Sequence, residues 1–140
     1  MQKKYEFLTN DCVLAGSRRL YRIRAVRDFG GVRRGELGGY IESEQHLCHD
    51  GESWVHDVAQ VYGPNARVGG NAHIKGEAWV LGQVDGDAEI CDLVVISEHA
   101  HVGGRTVVCG DEVVRGQVCQ LEPRRAVPAA VASGLARQVL

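Results

Sequence analysis

The sequence predicts an all-β fold: a single-stranded parallel β-helix with a small N-terminal β cap and a short C-terminal helix. Three observations carry the prediction. Over residues 71–90, NAHIKGEAWVLGQVDGDAEI, small or aliphatic side chains return at every second position, the period of a β-strand with one side turned inward. The pattern recurs about every six residues from Val55 to Val114. Eighteen glycines stand against three prolines, the proportion of a chain with many tight turns. An α-helix is excluded here, because the apolar residues would fall all round a 3.6-residue cylinder and each internal glycine would cost about 1 kcal/mol.

Residues 1–48 read as the cap. Tyr5-Glu6-Phe7 and Leu20–Val26 alternate as strands do, Asn10-Asp11 and Ala15-Gly16-Ser17 mark turns, and Gly30-Gly31, Gly35 and Gly38-Gly39 punctuate the approach to Tyr40-Ile41. Residues 49–120 read as the repeat body. Its units begin at Val55, Val61, Val68, Ile74, Val80, Val84, Ile90, Ile96, Val102, Val108 and Val114. Three such units close one triangular coil, and coils stack as parallel ladders about 4.8 Å apart. This is a hexapeptide-repeat β-helix of between three and four coils. Aliphatic anchors fill its interior, and the fifth position of each unit is small or aliphatic: Ala59, Ala72, Ala78, Ala88, Val94, Ala100, Thr106 and Val118. Two units break the metre. The Val61 unit is swollen by Gly63-Pro64-Asn65, which fits a corner bulge, and the Val80 unit is only four residues long. Asp92, Glu98 and Glu112 fall on the inward phase, and are expected at third positions where the turning chain faces water. Residues 121–140 form a tail. After Pro123 and Pro128, the placing of Val131, Leu135 and Val139 on one face predicts a short helix that covers the last coil or meets another subunit.

Composition limits the function classes. With 44% hydrophobic and 24% charged residues the chain is ordered and soluble. No stretch approaches the roughly 20 apolar residues of a membrane span. Lys3 and Lys4 lack the apolar run of a signal peptide, so a cytoplasmic location is expected. Five cysteines without a CxxC pair predict reduced thiols and no metal site. Basic and acidic side chains number nine and six in residues 1–48, four and eleven in 49–118, and three and one in 119–140. An acidic body between basic ends argues against nucleic-acid binding and permits charge-complementary self-association.

The stretch LYRIRAVRDFGGVRRGELGGYIESEQHLCHDGESWVHDVAQVYGPNARV resembles the N-terminal signature of YdcK-like proteins, which occur in bacterial genomes and often in phages and prophages. The pieces that carry the resemblance are Leu-Tyr-Arg-Ile-Arg-Ala, Asp-Phe-Gly and Gly-Glu-Leu-Gly-Gly-Tyr-Ile-Glu, and the likeness runs over roughly residues 4–118. It implies a left-handed β-helix, a hand that the repeat length alone does not set. Members are described mostly by fold or as transferases, so the resemblance carries no catalytic residues to this chain.

Three functions are weighed. The first is a non-catalytic, self-associating binding protein, phage- or prophage-borne as the resemblance implies, that sequesters a host component or a phosphorylated small molecule in an anti-defence role. Its candidate ligand-binding residues are Arg22, Arg24 and Arg27, because alternation sets Arg22 and Arg24 on one strand face as an anion clamp. The second is an acyl-coenzyme A-dependent acyltransferase, whose general base would be one of the outward histidines His73 or His101. The body offers only Arg67, Lys75, Arg105 and Arg115 for coenzyme phosphates, which weighs against this reading. The third is a structural assembly protein. Cys91 and Cys109, three units apart, should stack on one face without the further ligands a metal needs. The balance falls on a binder rather than an enzyme, with no cofactor.

Overall fold

The computed structural model describes residues 3–120. The helix expected in the tail lies outside the described residues. In the cap, β1 (Tyr5–Ala15), β2 (Arg18–Ala25) and β3 (Leu37–Ile41) pair antiparallel in chain order. The hairpin turns at Gly16, whose φ of +65° lies in the left-handed region. The Asn10-Asp11 turn is a correction. These residues lie within β1, at a register shift between Leu8 and Cys12. The polar pair marks a bulge in a continuing strand rather than a reversal of the chain.

Twelve short strands follow: β4 (Trp54–Val55), β5 (Gln60–Val61), β6 (Arg67–Val68), β7 (His73–Ile74), β8 (Trp79–Val80), β9 (Gln83–Val84), β10 (Glu89–Ile90), β11 (Val95–Ile96), β12 (His101–Gly104), β13 (Val107–Val108), β14 (Val113–Val114) and β15 (Gln117–Gln120). They stack as three parallel faces. The first holds β4, β7, β10 and β13, the second β5, β8, β11 and β14, and the third β6, β9, β12 and β15. The chain thus completes four coils of a left-handed parallel β-helix. β3 pairs in parallel with β5, so the antiparallel cap sheet runs on as the second face. Leu47 bridges to Val68 on the third face. The cap therefore supplies two sides of a partial coil above the first full one.

Each anchor predicted from the metre is the second residue of its strand, and the eleven from Val55 to Val114 are buried. Removing each Val or Ile from water contributes about 1.5–3 kcal/mol. Backbone N–H groups donate across coils, as in Trp54 N to Ala72 O at 3.0 Å and Lys75 N to Ile90 O at 2.7 Å. Two phase assignments are corrected. Val118 is a twelfth anchor, paired with Val102, and not a fifth-position residue. Glu112 stands two residues before an anchor, where other units have Ala59, Ala78 or Val94, and is buried rather than turned to water. Asp92 and Glu98 do face solvent.

Corner chemistry follows the backbone. Between the third and first faces, Gly70, Gly86 and Gly104 lie at left-handed φ, and Gly70 and Gly86 sit too close to the glycine one coil on for a side chain. Between the first and second faces the left-handed corner alternates Asp57, Gly76, Asp92 and Gly110. Each aspartate accepts from the glycine one coil on, Gly76 N to Asp57 Oδ2 at 2.9 Å and Gly110 N to Asp92 Oδ2 at 3.1 Å. Lys4 ties the cap down. Its buried ammonium donates to Ser53 O at 2.8 Å and lies 4.8 Å from the Phe29 ring, and burial lowers its pKa to about 8.

Candidate functional site

The departures from the six-residue metre fall at one corner. From the second face to the third, successive anchors run Val61 to Val68, Val80 to Val84, Ile96 to Val102 and Val114 to Val118, so long and short sides alternate. The short side of the second coil is drawn in at Gly82. A Cβ there would lie 2.2 Å from Ser97 O and 2.5 Å from Ala100 O. On either side the longer corners stand out, one at Pro64-Asn65 and the other at Glu98-His99. Between them opens a notch of about 350 Å³, lined by Asn65, Gln83, Glu98, His99, Ala100, His101 and Gln117. That is within the size range of small-molecule sites. Gln83, His101 and Gln117 are outward side chains of β9, β12 and β15, in register on the third face.

His101 Nε2 lies 2.9 Å from Asp85 Oδ2. A carboxylate only accepts, so the imidazole presents its Nε2–H to Asp85, and in the neutral ring Nδ1 is left as an acceptor. Gly103 makes room for the pair, because a Cβ there would stand 2.8 Å from Asp85 Oδ1. A histidine held in one tautomer at the edge of a polar cavity can accept a proton from a hydroxyl or amine. The metre did not single out Asp85, which comes from the neighbouring coil, sixteen residues from His101.

His73, the other histidine candidate, has a different setting. It lies on the first face, stacked on His56 with Nδ1 2.8 Å from His56 Nε2. Burial lowers the pKa of both rings, and the neighbouring His73 adds to the shift of His56, which falls to about 4. The unfolded chain, whose histidines titrate near pH 6.5, therefore binds more protons than the fold between about pH 6.5 and 4. Stability is full above that window and falls as pH drops through it. After allowance for solvent screening, the expected loss from pH 7 to pH 5 is on the order of 1 kcal/mol. Urea unfolding at the two pH values measures it, above the range where Glu42, Glu44 and Glu89 protonate. His56→Asn should reduce the slope, and a flat wild-type profile would contradict the assignment.

The cap arginines are already engaged. Arg22 Nε lies 3.0 Å from Asp11 Oδ2, and its guanidinium stacks on Tyr40 and donates to the Tyr40 hydroxyl at 2.9 Å. Arg24 is paired with Glu6. Arg27 packs over Phe29 and donates to His49 O at 3.3 Å. Arg22 and Arg24 share a face of β2, each with a β1 carboxylate to offset its charge. Cys91 and Cys109 stand one coil apart as their spacing implies, and burial pushes the Cys91 thiol up to about 12, where it stays protonated and unreactive. Among the described residues no group of three or more His, Cys, Asp or Glu side chains is placed to hold a metal ion, and no helix is long and apolar enough to cross a membrane.

Stacked six-residue units with aliphatic anchors and small inward corners make this a hexapeptide-repeat β-helix protein. Among curated proteins it is similar to the "Uncharacterized acetyltransferase YdcK" of Escherichia coli (strain K12), with 34% identity over 65 residues. The match takes in 46% of this chain and spans 20% of that relative. No protein-family model matches the chain.

Proposed function

We propose that the protein is a self-associating binding module that holds a small polar molecule in the notch on its third face. The notch itself carries the reading: a cavity of ligand size, bounded by amide and imidazole side chains in register on a parallel ladder. The cap clamp of Arg22, Arg24 and Arg27 is the weaker site, because carboxylates already meet Arg22 and Arg24. The resemblance to phage-borne proteins supports a host origin for the molecule and an anti-defence use of its capture. An apolar ladder on the second face supports self-association there, formed by the outward Trp79, Val95 and Val113 with Trp79 and Val113 exposed.

A second reading has its own support. The His101–Asp85 pair and the similarity to a protein named as an acetyltransferase favour acyl transfer, with His101 as general base for an acceptor hydroxyl or amine. The test for both readings is whether a retained or added small molecule depends on the notch. Gln83→Trp would fill its floor, and an outward tryptophan is already carried at the matching position of β8 by Trp79. Loss of the molecule in that variant is the expected result. Acetyl-coenzyme A among the molecules so lost would select the second reading.

A further inference from the structure

Two thiols meet on the first face, away from the notch. Cys91 follows β10 and Cys109 follows β13, each directly after one of the paired residues Ile90 and Val108. Backbone bonds fix the two positions from both sides. Cys91 N donates to Val108 O at 2.9 Å, Leu93 N to Gly110 O at 2.8 Å, and Gly110 N to Asp92 Oδ2 at 3.1 Å. Neighbouring strands of a ladder lie about 4.8 Å apart, inside the roughly 4.4–6.8 Å between Cα atoms that a disulfide spans. The side chains are already in contact, the Cys91 S–H donating to the Cys109 sulfur. The other cysteines face different neighbours: Cys12 pairs with Tyr21, Cys119 with Gly103, and the Cys48 sulfur lies against Gly69.

The two thiols are not equivalent. Burial, and then the bond to Cys109, hold the proton on Cys91, which leaves the attack on a reagent to Cys109. Both residues are half-buried, within reach of a small molecule. Cys109 belongs to the fourth coil, which has a neighbouring coil on one side only among the described residues. Such an end opens more readily than the coils within the stack.

We propose that Cys91 and Cys109 form a reversible redox site, closed to a disulfide by a low-molecular-weight disulfide such as oxidised glutathione. The Cys109 sulfur attacks one reagent sulfur and gives a mixed disulfide, and the departing thiolate takes up the Cys109 proton. Cys109 then no longer holds the proton on Cys91 by its hydrogen bond or its charge. Cys91 loses that proton and attacks the Cys109 sulfur, and the second half of the reagent leaves as a thiol. Two electrons and two protons pass to the reagent, and the new bond staples the fourth coil to the third.

Oxidised glutathione added to the folded full chain tests this, with alkylation of the remaining thiols, intact mass and peptide mapping as readouts. The wild-type chain should lose two alkylatable thiols, map a Cys91–Cys109 link and recover both thiols in dithiothreitol. Its Tm should rise on oxidation by about 5 °C or more. Cys91→Ser should trap glutathione on Cys109, and Cys109→Ser should leave Cys91 open to alkylation with no adduct. Circular dichroism shows that each variant is folded. Both thiols still alkylatable in the wild type, glutathione retained on Cys109, or a link to Cys12, Cys48 or Cys119 would overturn the proposal. An oxidised chain with an unchanged Tm would overturn the staple.

Discussion

Gly86→Ala is expected to destabilise the fold by about 3 kcal/mol or more, a loss of roughly 10 °C in Tm for a domain of this size. Two effects combine. Gly86 has a φ of +67°, where a residue with a Cβ is less stable by about 1–2 kcal/mol. That Cβ would also stand 2.7 Å from Gly104 N and 2.8 Å from Gly104 O, so the second and third coils must separate at this corner. Separation lengthens the bond from Asp87 N to Gly104 O, now 2.7 Å. Gly16→Ala is the control. Gly16 shares the conformation, at +65°, but has nothing within 4 Å of a built Cβ, so only the conformational cost applies. Denaturant midpoints for the two variants measure the difference. Equal losses would mean that the coils do not approach as closely as described.

Trp54→Ala should cost about 3–5 kcal/mol, because it opens a cavity at the junction of cap and first coil. Trp54 is fully buried, with Phe29 edge-on at 5.4 Å and Tyr5 at 6.3 Å between ring centroids. Gly38 passes so close that a Cβ there would lie 2.8 Å from the indole. The indole Nε1 is buried with no hydrogen-bond partner among the described residues. Trp54→Phe therefore keeps most of the packing and removes an unmet donor, and should cost under about 2 kcal/mol. Chemical unfolding measures both, and limited proteolysis reports whether the hairpin of β1 and β2 loosens first. A Trp54→Ala loss below about 1 kcal/mol would show that the cap is held elsewhere.

How much of this was legible in the sequence differs between fold and site. The anchors from Val55 to Val114 were readable, since burial on one side of a short strand leaves a period of two and each corner a period of six. Asn10-Asp11 misled because polar residues suit a bulge as well as a turn. Glu112 is the fifth residue of the Val108 unit, where other units carry a small or aliphatic side chain, and its charge pointed to the surface. Val118 shifts phase because the last side, Val114 to Val118, is a short one. The notch was hidden for the same reason. Its cause is the alternation of long and short sides at one corner, visible only when each side is compared with the one a full coil away. The His101–Asp85 pair likewise needs the coil length before residues sixteen apart become neighbours. Phase told which histidines point outward, but not that His73 meets His56 whereas His101 borders a cavity.

The central claim is that the third-face notch holds the ligand, and native mass spectrometry of the untagged protein tests it most directly. The wild-type chain and an Arg22→Ala/Arg24→Ala variant should carry the same small molecule, and Gln83→Trp should not. A bare wild-type protein, or a ligand that survives Gln83→Trp and is lost with the two cap arginines, would contradict the account.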